Sequence, residues 1–120
     1  MLTLDTLRTP AEAAKSIKSG DRVYIHGAGA TPRALVNAMV DRSDDLSNVE
    51  IYHLHTEGEA RYTEPQYEGI FHLNVLFLAP NARQAVNEGR ADVIPCFLSE
   101  VPIMFRRGTI KLDVALIQVS

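Results

Sequence analysis

The sequence predicts an α/β fold, in which an open and mostly parallel sheet is covered by helices on both faces. The first observation is an alternation between short apolar runs, typical of buried strands, and segments whose apolar residues recur every three or four positions, as in helices. The second is the separation of these segments by glycine and proline. The third is the stretch 21–35, where a strand runs through a glycine-bearing loop into a helix. Strands and helices that alternate in this way form parallel sheets.

Composition describes an ordinary globular domain and excludes several classes of protein. A chain of 120 residues, 46% hydrophobic and 22% charged, has the size and composition of one compact domain. Its net charge of −3 argues against a nucleic-acid partner, which would favour a basic face. No apolar run is long enough to span a bilayer, and the first ten residues do not resemble a signal peptide. The single cysteine excludes an internal disulfide, so we expect a cytoplasmic protein with no nucleic-acid or membrane partner.

The first predicted helix begins at Pro10, because Thr9 is a suitable cap and Glu12 completes a capping box. Gly20 is expected to end it, since glycine adopts the backbone conformation that terminates helices. Four residues at helical spacing predict one apolar face, namely Leu7, Ala11, Ala14 and Ile17.

The first strand is predicted over residues 22–26, and the loop 27–30 follows it. Thr31 is expected to cap the second helix, and Pro32 to take its first position. The inner face of this helix carries two pairs of residues four positions apart, Leu35 with Met39 and Val36 with Val40. A polar turn then leads to the second strand, predicted over 49–54.

The rest of the chain continues the alternation. Residues 56–69 are polar and form a long loop, of a length that is often functional. The later elements are predicted in the order strand 70–78, helix 81–88, strand 92–94, a short helix from 99 to 108 and strand 112–119. The last strand is nearly all apolar, which indicates a buried strand. A buried strand with nothing after it is an unusual end for a chain, so we expect the front piece of a longer protein. The alternative is a short protein whose last strand closes the sheet.

The loop from Gly27 to Pro32 is the most informative feature of the sequence. Glycine allows a ligand close to the backbone, and the helix that follows offers free N–H groups and a partial positive charge. Such a loop suits a carboxylate, a phosphate or a thioester carbonyl oxygen, although a plain connecting turn is the alternative. Pro32 stands where the dinucleotide-binding motif needs glycine, which disfavours a nicotinamide-dependent oxidoreductase. No Gly-Lys-Ser/Thr follows, so the loop is not a P-loop.

Histidine and cysteine give weaker indications. His53 and His55 would share one face of a strand end, but two ligands do not make a metal site. His26 and His72 lie on separate strands. The favoured interpretation is therefore histidines that are hydrogen-bonded locally, with no metal. Cys96 is interpreted as a structural cysteine in preference to a nucleophile, because nothing near it in sequence would activate the thiol.

Two acidic features have a structural and a functional interpretation. Glu100 lies in the first turn of a predicted helix, where a carboxylate stabilises the helix dipole. That interpretation is favoured over a role beside the ligand. The acids and tyrosines of residues 56–69 are expected to form a solvated surface, and a lid over the ligand is the minority interpretation.

Four stretches, in this order, resemble the N-terminal half of the acetyl-CoA hydrolase/transferase family. They are SGDRVYIHGAGATPRAL, FLAPNARQAVNEGRADVIP, FLSEVPIMFRRG and DVALIQVS. The resemblance covers residues 9–120 and points to the 4-hydroxybutyrate or butyrate:acetate type of CoA-transferase. It implies the open α/β fold of the CoA-transferases, with two similar halves and an active site between them. Such an enzyme moves coenzyme A between a short-chain acyl-CoA (acetyl, butyryl or 4-hydroxybutyryl) and a free carboxylate.

The resemblance also implies which half does the chemistry. In this family a glutamate of the second half attacks the acyl-CoA and becomes a glutamyl–CoA thioester. No glutamate here matches that position, so we expect residues 1–120 to be a single N-terminal domain, truncated from a longer two-domain enzyme, with no catalytic residue and no activity alone. The expected partners are an acyl-CoA and a small carboxylate as substrates, the absent C-terminal half, and further copies of the protein in a homo-oligomer. No covalently bound cofactor is expected. The substrate-binding positions carried over from the family are Gly27, Ala28, Gly29, Thr31, Pro32, Ser99, Glu100, Gln118 and Ser120.

Two alternatives remain open on the sequence. An acetyl-CoA hydrolase of the same family would differ only in letting water attack the thioester. A small-ligand binding or regulatory module is an alternative of another class, because the same sheet fold occurs in sensors of sugar phosphates. A thermal shift with sugar phosphates, and none with CoA esters, would favour that module.

Overall fold

The computed structural model describes residues 3–119. Five strands form one sheet in which every neighbouring pair is parallel. The strands lie in the order β4-β3-β2-β1-β5, so the first strand along the chain is next to the last. Their bounds are β1 Arg22–Ile25, β2 Val49–His53, β3 Phe71–Val75, β4 Ala91–Val93 and β5 Val114–Leu116. The predicted open parallel α/β sheet is confirmed.

Four α-helices and several 3-10 turns lie before and between these strands. The helices are α1 Pro10–Ala14, α2 Arg33–Asp41, α3 Pro80–Asn87 and α4 Val101–Arg106. The 3-10 turns lie at Leu4–Thr6, Ser43–Asp45, Arg61–Thr63, Pro65–Tyr67 and Leu98–Glu100. Among residues 3–119, none of these helices is long and apolar enough to cross a membrane.

One face of the sheet, the first face, carries the main core. Alternate residues of the central strands point to it, including Val23, Ile51 and Leu73, each with at most 2% of its surface exposed. Helices α2 and α3 cover this face, and their buried residues belong to the same apolar cluster as Ile17, which follows α1. Burying these side chains contributes about 2 kcal/mol each, which makes this cluster the main source of stability.

The opposite face, the second face, has a smaller apolar cluster and a polar row. Tyr52, Leu76 and Val101 of α4 form the cluster with Ile110. The polar row crosses four strands near their amino ends. It consists of the ion pair Arg22–Glu50 (3.1 Å) and the pair His72–Asp92 (2.8 Å).

Within residues 3–119, the last strand is shorter and less buried than predicted. β5 has only three residues and pairs with β1 alone, which makes it an edge strand. Of its residues Leu116 is buried, whereas Ile117 and Val119 beyond it are 54% and 79% exposed. An apolar sequence therefore did not secure burial, because the position of the strand in the sheet decides how many neighbours cover it.

The first helix is shorter than predicted. The capping box is present, since the Glu12 N–H donates to the Thr9 hydroxyl and the Thr9 N–H donates to the Glu12 carboxylate. The helix nevertheless ends at Ala14. Ala14 and Ile17 are buried as predicted, but Leu7 is 59% exposed and lies before the helix.

Candidate functional site

The candidate site lies at the carboxyl ends of the strands, where parallel α/β sheets bind ligands. The loop after β1 and the segment after β2 meet there, and Ala28 pairs with Thr56 in an isolated parallel bridge. This contact follows from the sheet order, since β1 and β2 are neighbours and their following loops leave the same edge. The glycine loop is therefore supported by a segment that lies 28 residues further along the chain.

Gly27 is the closest point of approach between the two segments. A Cβ atom placed on Gly27 would lie 2.6 Å from the carbonyl oxygen of His55, too close for any side chain. That same oxygen accepts a hydrogen bond from the Ala28 N–H at 2.9 Å. Gly29, in contrast, has open space around it. Only the first of the two glycines is required by packing.

Ala28 adopts a left-handed backbone conformation, with φ of 52°. An L-residue other than glycine costs about 1–2 kcal/mol in this conformation. The two glycines that flank it do not have left-handed φ angles. The strained position in the loop is therefore occupied by alanine, and neighbouring contacts must hold it there.

Thr31 joins the loop to its support, which corrects the prediction that it caps the second helix. α2 begins at Arg33 with Pro32 at the cap position, and no side chain caps it. The buried Thr31 hydroxyl donates instead to the Ala28 carbonyl at 2.7 Å and accepts from the Glu57 N–H at 3.1 Å. One hydroxyl thus ties both segments together and cannot also reach the helix amides.

A cleft of about 310 Å³ opens beside the loop. Arg33 and Glu57 stand at its wall as an exposed ion pair, 3.7 Å apart. Gln118 lines the same cleft, and its N–H donates to Nδ1 of His26 at 3.3 Å. The backbone N–H groups of Gly29 and Ala34 also belong to lining residues, and neither donates to another residue within 3–119. The cleft therefore combines a guanidinium, an amide side chain and unpaired N–H groups, which together suit an anion.

A second pocket of about 200 Å³ lies next to this cleft, between α2 and residues 56–62. Thr31, Arg33 and Glu57 line both spaces. The floor of the pocket includes Thr56 and Tyr62, which are 5% and 2% exposed. The prediction that the acids and tyrosines of residues 56–69 form a solvated surface is therefore wrong for Tyr62, although the acidic side chains of the segment are exposed.

A chain of hydrogen bonds runs beneath the pocket. The hydroxyl of Tyr62 lies 2.9 Å from Nε2 of His53 and 2.8 Å from Oγ1 of Thr56. The side-chain amide of Asn81 donates to the Thr56 carbonyl at 2.8 Å. Nδ1 of His53 faces the carbonyl of Leu54 at 3.3 Å. This chain links β2, the segment after it and the first turn of α3.

The direction of these hydrogen bonds follows from the Leu54 carbonyl, at which the series ends. The Leu54 carbonyl can only accept, so the proton of the His53 ring is on Nδ1 and Nε2 accepts from Tyr62. Tyr62 in turn accepts from the hydroxyl of Thr56. Burial lowers the pKa of His53 to about 4, which keeps the ring neutral at pH 7. Burial raises the pKa of Tyr62 to about 12, opposed by the bond to Thr56, so the hydroxyl keeps its proton.

The structure gathers some of the predicted site residues and separates others. Ala28, Gly29, Thr31 and Gln118 line the cleft, while Gly27 lies behind it and Pro32 is buried at the helix start. Ser99 and Glu100 line neither the cleft nor the neighbouring pocket and follow β4 at the far edge of the sheet. The Glu100 carboxylate accepts from the Phe97 N–H at 3.0 Å and so stabilises its own turn. Ser120 lies outside the described residues.

The histidines and the cysteine have local partners. His53 and His26 are hydrogen-bonded as described, His72 pairs with Asp92, and the ring of His55 packs on Phe77 at 5.6 Å. Cys96 is partly buried against the apolar cluster of the second face. Within residues 3–119, no three side chains of histidine, cysteine, aspartate or glutamate are grouped so that they could hold a metal ion.

Sequence reasoning missed several residues of the site. Arg33 and Glu57 line the cleft, and His53, Tyr62 and Asn81 support it from below. Arg33 was within reach of prediction, because it opens the helix that follows the glycine loop. The buried chain was not, since it joins residues from three separate elements.

Comparisons with known proteins give a consistent result. The sequence profile of the acetyl-CoA hydrolase/transferase N-terminal domain matches residues 4–120. A succinyl-CoA:acetate/propanoyl-CoA:succinate CoA transferase of Fasciola hepatica is 42% identical over 106 residues, 87% of this chain and 22% of that protein. A 4-hydroxybutyrate coenzyme A transferase of Clostridium kluyveri is 40% identical over 116 residues, 97% of this chain and 27% of that protein. The chain thus spans about a quarter of the length of these curated relatives.

Solved structures share the fold. The crystal structure of RipA from Yersinia pestis superposes with a TM-score of 0.85 at 21% identity, over 94% of this chain and 28% of that one. The 4-hydroxybutyrate CoA-transferase of Porphyromonas gingivalis superposes with a TM-score of 0.67 at 25% identity, over 92% of this chain and 24% of that one. The profile match covers nearly the whole sequence, and two relatives exceed 30% identity across most of it. The chain therefore belongs to the acetyl-CoA hydrolase/transferase family, whose N-terminal domain it matches over residues 4–120.

Proposed function

We propose that this chain forms the wall of a CoA-transferase site that faces the acyl group and the carboxylate. The enzyme moves coenzyme A between a short-chain acyl-CoA (acetyl, butyryl or 4-hydroxybutyryl) and a free carboxylate, through a glutamyl–CoA thioester. The glutamate that forms the thioester lies outside this chain. Family membership and the CoA transferases among the relatives support this function. The cleft beside the glycine loop is the observation that carries it.

The cleft presents two backbone donors without acceptors within residues 3–119 and a guanidinium with a long, exposed ion pair. The N–H groups of Gly29 and Ala34 and the guanidinium of Arg33 surround a space large enough for a small carboxylate. Among the residues that the structure describes, Glu57 is the only carboxylate that lines the cleft, and its pair with Arg33 is long and solvent-exposed. Exposed pairs of this kind are weak, so a substrate carboxylate can replace Glu57 on Arg33 at little cost.

The same donors suit the reacting carbonyl. When a nucleophile attacks a thioester, negative charge develops on the carbonyl oxygen, and preorganised N–H groups stabilise it. The loop is held to the neighbouring segment by the Ala28 N–H bond to the His55 carbonyl and by the Thr31 hydroxyl, so its donors need not reorganise during the reaction. The role of this chain is therefore to bind and orient, while bond making takes place on the glutamate of the other half.

Borohydride trapping tests the covalent step. The full-length protein is incubated with an acyl-CoA and then treated with borohydride, which reduces a glutamyl thioester to an alcohol and abolishes activity. The matched control omits the acyl-CoA and keeps its activity. Retained activity after both treatments would count against the thioester intermediate. The 120-residue chain alone is expected to be inactive, and turnover by it would contradict the placement of the nucleophile outside it.

A hydrolase is the second candidate, because the family name covers both activities. In a hydrolase, water attacks the thioester. In a transferase, an acceptor carboxylate attacks it. Release of free coenzyme A from acetyl-CoA without any acceptor carboxylate would identify a hydrolase. Formation of the acceptor's CoA thioester together with acetate, and only when the acceptor is present, would identify a transferase.

A further inference from the structure

The glycine loop depends on a neighbouring segment for its shape. Ala28 donates to the His55 carbonyl at 2.9 Å, and Thr31 accepts from the Glu57 N–H at 3.1 Å. Gly27 lies against the same carbonyl, with no room for a side chain. A shift of the segment 55–57 would therefore be transmitted directly to the backbone that lines the cleft.

The segment 55–57 is fixed from below through Thr56. Its side chain is 5% exposed and is bonded to the hydroxyl of Tyr62, while its carbonyl accepts from Asn81. Tyr62 is anchored in turn on His53, whose ring is 1% exposed and packs edge-on against the tyrosine ring at 5.8 Å. Neither His53 nor Tyr62 lines the cleft beside the glycine loop.

We propose that His53, Tyr62 and Thr56 are positioning residues, which set the geometry of the glycine loop for the carboxylate through the segment 55–57. This inference rests on the proposed function, since it assigns the loop to carboxylate binding. A buried polar chain costs stability unless every member is satisfied, and each of these three side chains has a partner. Apolar side chains could fill the same space, but they would not fix the position of the Thr56 backbone through directed hydrogen bonds.

Tyr62→Phe in the full-length protein is the central test. It removes one oxygen, leaves the ring packing against His53, and frees Thr56 from its partner. We expect the KM for the acceptor carboxylate to rise about fivefold or more, the range set by one lost buried hydrogen bond, with kcat and the KM for the CoA ester within about twofold. Tyr52→Phe is the matched control, because Tyr52 is a buried tyrosine next to His53 on β2 but faces the other side of the sheet.

Thr56 provides a conservative rescue. Thr56→Val keeps the shape but loses the hydroxyl, and is expected to raise the carboxylate KM as Tyr62→Phe does. Thr56→Ser keeps the hydroxyl and is expected to preserve the KM of the unchanged protein. If Tyr62→Phe and Thr56→Val lower the melting temperature but leave the carboxylate KM equal to that of Tyr52→Phe, these hydrogen bonds only stabilise the fold and the proposal is overturned.

Direct binding separates this inference from the proposed function. Calorimetric titration with acetate and succinate measures carboxylate binding without turnover. If the unchanged protein transfers no coenzyme A, the proposed function fails, while weaker carboxylate binding by Tyr62→Phe than by Tyr52→Phe still supports the positioning role. Equal binding by these two variants, or no binding by the unchanged protein, overturns the positioning role.

Discussion

Gly27→Ala tests whether the glycine loop lies as close to its support as the structure indicates. The added Cβ would meet the carbonyl oxygen of His55 at 2.6 Å. That carbonyl cannot rotate away freely, because it accepts the Ala28 N–H. Overpacking costs about 1–3 kcal/mol, the strained hydrogen bond about 1 kcal/mol, and the reduced freedom of the unfolded chain returns about 0.4–1 kcal/mol. We therefore expect a loss of about 2 kcal/mol in the free energy of unfolding.

Gly29→Ala is the matched control, two positions further along the same loop. Nothing lies within 4 Å of a Cβ at Gly29, and its φ is not left-handed, so only the unfolded-state effect remains. It is expected to be neutral or stabilising by up to about 1 kcal/mol. Urea unfolding of both full-length variants measures the difference, and hydrogen exchange at the Ala28 amide reports the bond to His55. Equal urea midpoints with unchanged exchange would refute the close approach.

Three further predictions concern the loop and its support. Ala28→Gly is expected to stabilise the protein by about 0.5 kcal/mol, because relief of the left-handed alanine exceeds the added freedom of the unfolded chain; a lower melting temperature would contradict the strain. The pKa of His53 is about 4 in the folded protein and 6.5 in the unfolded chain, so the unfolded chain binds a proton more readily. The free energy of unfolding is therefore expected to fall by about 3 kcal/mol as the pH is lowered from 6.5 to 4. Urea unfolding at several pH values in this range should show that the free energy of unfolding of His53→Gln depends less on pH than that of the unchanged protein. An equal pH dependence would count against the buried neutral ring. Arg33→Gln is expected to raise the carboxylate KM at least about fivefold while changing the free energy of unfolding by less than about 0.5 kcal/mol, since its pair with Glu57 is exposed; an unchanged KM would remove Arg33 from the site.

Local sequence signals predicted the parts of the fold that local chemistry controls. The capping box of Thr9 and Glu12 formed as expected, because both partners lie within one turn. The order of strands and helices followed from periodicity, and the glycine loop was correctly placed between β1 and α2. Glycine at position 27 was singled out for approach of a ligand, whereas the structure shows that it is needed for close packing against the His55 carbonyl.

Long-range contacts decided what the sequence could not predict. Tyr62 and Thr56 lie in a segment rich in acids, which is typical of a surface, yet both are buried because a histidine from β2 accepts a bond from the tyrosine. Thr31 has the sequence position of a helix cap, but its hydroxyl accepts the N–H of Glu57, which lies in a distant segment. Ile117 is apolar but exposed, because β5 pairs only with β1 among the residues that the structure describes. No local pattern contains these partners.

The conformation of the glycine loop is therefore set by its contacts with the segment 55–57 after β2, and not by its own sequence alone. Left to its intrinsic preference, Ala28 would avoid its observed φ, and the flanking glycines would take that conformation more readily. It is held because Gly27 lies against the His55 carbonyl, Ala28 donates to that carbonyl, and Thr31 binds the Glu57 amide. A strained residue persists only where its surroundings fix it more strongly than it resists. This explains why side chains that never reach the cleft, such as His53, can control the position of the atoms that line it.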